Sequence, residues 1–304
     1  MEIKLIILLK FLNIWKNNMK PTFRIIAKLD IKDKNLVKGI NFEGLRVLGR
    51  PHEFANYYYE NGIDEIFYQD VIASLLGRNT LSKIIADSSR DIFVPITVGG
   101  GIKSLKDIEI VLKSGADRVS LNSGALENLD LIKSSIKNFG SSNIIFAIEV
   151  MKINDELKVV KFNGREKTPY KLIDWLKILV ESGASEVFLS SVNHDGTGKG
   201  IDFEILEAVK HFENLSIIYH GGVNSDDPYN LSKKYFRNLS GLGISSLFHY
   251  EYYPKQKHDL DKIVTGNTEF IMKKKIPSNI NPISINEFKN KLRNYKFQSV
   301  KFNV

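Results

Sequence analysis

The chain has 304 residues, 43% hydrophobic and 26% charged, a globular mixture long enough for one α/β barrel of about 250 residues with extensions. It has no cysteine, which excludes a disulfide framework, a thiolate nucleophile and a zinc–cysteine site and fits a reducing, cytoplasmic setting; its 6 histidines lack metal-ligand spacing, so no metal or cofactor is expected. The net charge of +8 comes without a nucleic-acid-binding signature and reads as a solvated lysine-rich surface that also steers an anionic substrate.

Residues 1–18, MEIKLIILLKFLNIWKNN, form an apolar run broken by Lys4 and Lys10. It is too short to span a membrane, and no small-residue cleavage site follows it. Either translation starts at Met19, or the segment is an amphipathic extension that docks on the fold or on a partner. Apolar runs at 23–29, 64–69, 92–98, 117–121, 143–148, 186–191, 215–220 and 239–244 then read as strands. Amphipathic stretches at 51–61, 79–88, 104–114, 127–138, 170–182, 202–212 and 226–237 separate them. Eight strands alternating with helices predict a single (βα)8 barrel over residues 19–304. The first glycine-rich turn, GGGIKS, lacks the G-x-G-x-x-G spacing of a dinucleotide site. Long segments at 31–50 and 150–168 follow strands one and five. Such loops are expected to be lids, the second of them a hairpin by its alternation. Residues 250–281 read as an irregular insertion and 283–296 as the closing helix.

The chain repeats itself. Gly100-Gly101 recurs as Gly221-Gly222, and 62–67 recurs as 183–188, both at a separation of 121 residues. Apolar runs ending in a carboxylate, at Asp30 and Glu149, open the two halves. This predicts two half-barrels related by duplication. Glycine pairs at strand ends let a backbone come close to a ligand, and N–H groups there bind phosphate. Two such turns point to a substrate with two phosphates, with Ser123, Ser245 and Ser246 as added donors; taken singly, each is an ordinary strand–helix turn.

From about residue 22 to 250, and in the closing helix, the chain resembles the cyclase subunit of imidazole glycerol phosphate synthase. KLDIKDKNLVKGINFEGLRVLGRP (28–51) resembles the family's first strand and loop, and its form favours the cyclase over the sister isomerase. The resemblance implies that Asp30 is a catalytic carboxylate and Lys38 a loop lysine near substrate. TVGGGIKS and SLNSGA resemble one phosphate site (Gly101, Asn122, Ser123). HGGVNS and ISSLFHY resemble the other (Gly222, Ser245, Ser246), and SSVNHDGTGKGID supplies Asp195, Gly196 and Thr197. Arg24, Glu65, Arg118 and Glu186 match a salt-bridge ring that gates ammonia, with Asp117 at the interface; the same four residues also serve as a plain stability ring. The implied partner is a glutamine amidotransferase (HisH-type) subunit that supplies ammonia in a heterodimer. The implied substrate is an open-chain bisphosphate nucleotide, converted to imidazole glycerol phosphate and an aminoimidazole carboxamide ribotide in histidine biosynthesis.

Two carboxylates across a barrel mouth suit general acid–base work, which makes Asp30 and Glu149 the catalytic candidates. The chain departs from the family at four places: Glu149 where aspartate is usual, Lys28 beside Asp30, Asn193-His194 where Asp-Arg is usual, and His220 where serine is usual. A misplacement of about 1 Å can cost roughly 100-fold in rate. These departures resemble a branch associated with surface-polysaccharide genes, which implies delivery of ammonia to a sugar-modifying amidotransferase. A non-catalytic scaffold that activates the glutaminase is the third reading.

Overall fold

Burial along both faces marks the barrel strands, as expected for parallel strands covered by helices outside and side chains inside. The computed structural model describes residues 23–73, 82–234, 236–256, 275–295 and 297. In chain order the elements begin with β1 (Arg24–Lys32), β2 (Asn35–Ile40), β3 (Glu43–Gly49), α1 (Pro51–Glu60), β4 (Glu65–Asp70), α2 (Ser82–Asp91), β5 (Ile96–Gly99), α3 (Leu105–Lys113) and β6 (Arg118–Leu121). Next come α4 (Ser123–Glu127), α5 (Leu129–Phe139), β7 (Ile144–Ile153), β8 (Glu156–Lys161), β9 (Glu166–Lys171), α6 (Leu172–Glu181) and β10 (Glu186–Ser191). The chain ends with α7 (Phe203–Val209), β11 (Ser216–His220), α8 (Asp227–Ser232), β12 (Leu239–Ile244), α9 (Ser246–Tyr252) and α10 (Ile285–Asn294).

The parallel pairings run β1-β4-β5-β6-β7-β10-β11-β12, and β12 pairs back onto β1 with Arg24 opposite Gly241. The sheet is therefore closed, a (βα)8 barrel with no free edge among these strands. Two antiparallel hairpins branch from it: β1 runs on into β2 and β3, and β7 into β8 and β9. The segment 31–50 is thus an ordered hairpin rather than an open loop. Its turn, Asn41-Phe42, has positive φ at both residues, as a two-residue turn needs to match strand twist. The strand expected at 92–98 begins only at Ile96, after Pro95, which has no N–H to give a ladder. The helix expected at 226–237 stops at Ser232.

The duplication is visible in the backbone. Gly100 and Gly221 share φ 112°, and Gly101 and Gly222 have φ 70° and 75°. A β-carbon on Gly100 would lie 2.4 Å from the Asp70 carbonyl oxygen, and one on Gly221 2.6 Å from that of Ser191. Both turns therefore require glycine for conformation and for close approach.

Helix α10 closes the barrel from outside. The Ser284 side chain accepts from Glu287 N at its start, an N-cap worth about 1 kcal/mol. The buried Lys289 Nζ reaches Asp64 Oδ1 at 2.5 Å and Gly62 O at 2.6 Å, while Asp64 Oδ2 accepts from Ile25 N at 2.7 Å. Burial pushes the Asp64 carboxyl up, against the pull of Lys289. The segment at 1–18, Met19, and residues 257–274 of the expected insertion lie outside the described residues.

Removing one partner of a buried pair strands the other. Lys289→Met is expected to cost roughly 3–5 kcal/mol in urea unfolding, and Asp64→Asn added to it should recover part of that loss. An unchanged unfolding midpoint in Lys289→Met would show that this pair does not hold α10.

Candidate active site

Inward-facing residues stack in levels along the barrel axis. At the N-terminal end, Arg24 and Arg118 alternate with Glu65 and Glu186. Arg24 Nη1–Glu65 Oε1 and Arg118 Nη2–Glu65 Oε2 are both 2.7 Å, and each arginine also pairs with Glu186. Ser240 and Thr97 accept further hydrogen bonds from Arg24 and Arg118. Above this ring Ile26, Phe67, Ile145, Phe188 and Ile218 form a separate buried cluster with Ala147 against it. Phe67 and Phe188, 121 residues apart, meet edge to face with centroids 4.7 Å apart. A charged floor thus lies under an apolar layer.

Above that layer the interior is polar again. Asp30 is buried and paired with Lys28. Lys38, from the first hairpin, is also buried; its Nζ reaches Asp195 at 2.7 and 2.8 Å and Asp30 Oδ2 at 3.7 Å. Burial alone would raise the Asp30 and Asp195 carboxyls, but Lys28 and Lys38 hold Asp30 below its usual range, and Lys38 chiefly does so for Asp195. Lys38 is raised in turn: Asp195 and Asp30 outweigh its burial. Glu149 has no such partner. Its Oε1 accepts from Asn122 Nδ2 at 2.8 Å and its Oε2 from Gly164 N at 2.9 Å. Burial pushes this carboxyl up to about 7, against those neutral donors and more distant Lys28. Of the two catalytic candidates, Asp30 is kept ionised and Glu149 is poised near neutrality, which is the pattern of an acid–base pair.

Two pockets open at the mouth, the first beside Glu149 and the second beside Asp195, while Asp30 lines neither. The first is lined by Gly100, Gly101, Asn122, Ser123 and Glu149, with Phe162 and Asn163 from the second hairpin. The second is lined by Asp195, Gly196, His220, Gly222, Ser245 and Ser246, with Ile280 from the segment before α10. Both hairpins fold down over the mouth. Asn41 N donates to Asp195 O at 2.8 Å and Asn41 Nδ2 to Val192 O at 2.7 Å. Phe42 packs with Val160 and Val192, and Asn163 Nδ2 donates to Val71 O at 2.5 Å. Phe42 and Phe162 occupy equivalent hairpin positions at φ 63° and 55°. Bulky residues in this left-handed region carry strain that surrounding contacts must hold.

The histidine biosynthesis protein family matches residues 24–253. The imidazole glycerol phosphate synthase subunit HisF of Legionella pneumophila is 42% identical over 208 residues, covering 68% of this chain and 98% of that protein. The HisF subunit of Clostridium botulinum is 37% identical over 260 residues, 84% of this chain and 98% of its own length. The chain belongs to the HisF-type cyclase family. The HisF subunit of Thermococcus onnurineus is 35% identical over 258 residues, covering 85% of this chain and 98% of that protein.

Within this HisF-type barrel, Asp30, Glu149, Lys38 and Asp195 converge on the mouth, and the glycine turns face it from opposite halves. Some groups stand differently from the sequence expectation. Lys38, expected near substrate on the first loop, stands on β2 and is engaged in the interior ion cluster. The Thr197 hydroxyl donates to His194 O at 2.7 Å, and Thr197 does not line the second pocket. The Ser245 hydroxyl donates to Lys28 O at 2.8 Å, tying β12 to β1. Asp117 is exposed at the N-terminal face, its Oδ2 accepting from Ile96 N at 2.8 Å. His194 holds the loop after β10 through Gly200 O at 2.8 Å. Phe162, Asn163, Gly164 and Ile280 were not singled out from sequence. The F-N-G turn at 162–164, matching N-F at 41–42, was the available signal for the first three. Among the described residues no acidic, histidine or cysteine cluster forms a metal site, and no helix is long and apolar enough to cross a membrane.

The raised Glu149 carboxyl links stability to pH. Between its ordinary value of 4.5 and about 7 the folded state holds a proton that the unfolded chain has released. Glu149 therefore contributes a stability that is lost as pH rises through this window, on the order of 3 kcal/mol in total. The stability of the wild type relative to Glu149→Gln, measured by urea unfolding, should fall by about that amount from about pH 5 to about pH 8. Parallel pH profiles would contradict it.

Proposed function

We propose that this cyclase subunit takes ammonia from a glutamine amidotransferase subunit and joins it to an open-chain nucleotide with two phosphates, yielding imidazole glycerol phosphate, aminoimidazole carboxamide ribotide and the water that carries off the displaced carbonyl oxygen. The observation that carries the proposal is the pairing of two glycine-turn pockets on opposite sides of one mouth, each beside a carboxylate. The reading also rests on the family to which the chain belongs. A bisphosphate spanning the mouth would set its phosphates on the turns at Gly101, Asn122 and Ser123 and at Gly222, Ser245 and Ser246. Its reacting centre would then lie near Asp30 and Glu149.

In this reading ammonia enters through the ring of Arg24, Glu65, Arg118 and Glu186. Asp117 and Phe93, the latter 75% exposed, stand on the same face and would meet the glutaminase. The apolar layer above the ring favours neutral ammonia over ammonium, because an unpaired ion there loses its hydration. Asp30, kept ionised, accepts a proton from the ammonia-derived nitrogen as the new C–N bond forms. Glu149, protonated in part near neutrality, donates one to the nitrogen that leaves as the old C–N bond breaks. Positioned groups of this kind are worth about 10²–10⁴-fold each. The hairpin carrying Lys38 and Asn41 closes over the bound substrate and must lift to admit it.

A second reading is favoured by Lys28, whose ion pair occupies Asp30: a barrel that passes ammonia on to a separate sugar-modifying amidotransferase in surface-polysaccharide biosynthesis.

Turnover of the bisphosphate nucleotide with excess ammonium salt at alkaline pH bypasses the glutaminase and separates the two. The cyclase reading expects turnover that falls by about 100-fold or more in Asp30→Asn and in Glu149→Gln. No turnover by folded wild-type protein would overturn it in favour of ammonia transfer.

A further inference from the structure

His220 ends β11 immediately before the Gly221-Gly222 turn and is 2% exposed. Its Nδ1 lies 2.9 Å from Gly243 O. A carbonyl only accepts, so Nδ1 carries the hydrogen and the neutral ring presents a lone pair at Nε2. That nitrogen is buried and makes no hydrogen bond. Asp195 Oδ1 stands 3.2 Å from it. Asp195 is kept ionised by Lys38, so as long as the ring is neutral two acceptors face one another at this distance. Buried polar atoms are rarely left in this state without a reason.

The surroundings favour the neutral ring. Burial holds the imidazole below its ordinary range; Asp195 opposes this, while Lys28 and Lys38 reinforce it. Of the charged groups that act on the ring, β1 contributes Lys28, β2 contributes Lys38 and the loop after β10 contributes Asp195; His249 of α9, on which His220 acts, is itself lowered to about 3 by burial. Phe188 of β10 covers a ring face with centroids 5.6 Å apart. The two lysines are already matched by Asp30 and Asp195, so the cluster is close to neutral before a ligand arrives. His220 also lines the second pocket beside Gly222, Ser245 and Ser246. A dianion entering that pocket tips the local balance toward a cation.

We propose that His220 is a recognition residue of the second pocket that takes up a proton at Nε2 when a phosphoryl dianion binds there. The proton comes from solvent, and the new N–H donates to Asp195 Oδ1. The imidazolium then balances one ligand charge without a further lysine or arginine. The residue before the first glycine pair is Gly99, and no histidine lines the first pocket, so the coupling belongs to one half of the barrel. The inference deepens the proposed function and rests on its assignment of this pocket to a phosphate.

Sulfate is the probe, because its charge stays constant near neutral pH. Calorimetric titration in two buffers of different ionisation enthalpy gives the protons taken up on binding. Wild-type protein should take up about one more proton than His220→Gln at a pH near 7.5. Its sulfate affinity should fall with rising pH by up to about tenfold per unit more steeply than that of the variant. The ¹⁵N resonance of His220 Nε2 in the wild type, which needs no variant, should move to the protonated position on saturation. Sulfate binding with equal proton uptake in both proteins, or with an unmoved Nε2 resonance, overturns the role of His220 and leaves the phosphate pocket standing. No sulfate binding by the wild type overturns the pocket assignment and the inference with it.

Discussion

Charges inside a closed barrel must find partners inside it, and this constraint orders the whole interior. Alternate residues of each strand point inward, and water cannot solvate them there. The chain meets this by confining charge to two levels and separating them with Ile26, Phe67, Ile145, Phe188 and Ile218. At the floor, two arginines and two glutamates close a ring in which every charge touches two of opposite sign. At the mouth, Lys28 and Lys38 answer Asp30 and Asp195. An unpaired buried ion would cost several kcal/mol, so each level is held as a unit.

Duplication supplies the symmetry of the mouth, and divergence supplies its chemistry. The two halves share glycine turns, short helices after β6 and β12, and hairpins after β1 and β7. Their carboxylates do not share an environment. Asp30 is met by a lysine on its own strand; Glu149 is met by an amide, a backbone N–H and little else. Two equivalent positions thus acquire different proton affinities, which an acid and a base acting in turn require. The longer side chain of Glu149 is accommodated because the F-N-G turn of the second hairpin reaches down to it.

The barrel, its duplication and the convergence of most candidate residues were legible in the sequence because they rest on strand period, glycine spacing and motif. Even the floor ring was legible through resemblance. What was not legible depends on how hairpins fold back. Residues 31–50 form strands because Asn41-Phe42 makes a tight turn, whereas a lysine-rich stretch with scattered glycines reads as loop. Lys38 joins Asp195, 157 residues away, and no local pattern carries such a contact. Ile280 reaches the second pocket from beyond the last strand for the same reason. Thr197 sits in a recognisable motif, yet its hydroxyl serves its own turn.

The central claim is that the mouth holds its two facing carboxyls in different protonation states near neutral pH. Carboxyl ¹³C titration of labelled protein, with Glu149→Gln to assign the resonance, measures this directly. The account predicts one side-chain carboxyl titrating at about 7 that is absent from the variant, while Asp30 stays ionised throughout the neutral range. A Glu149 that titrates at its ordinary value of 4.5 would contradict the account.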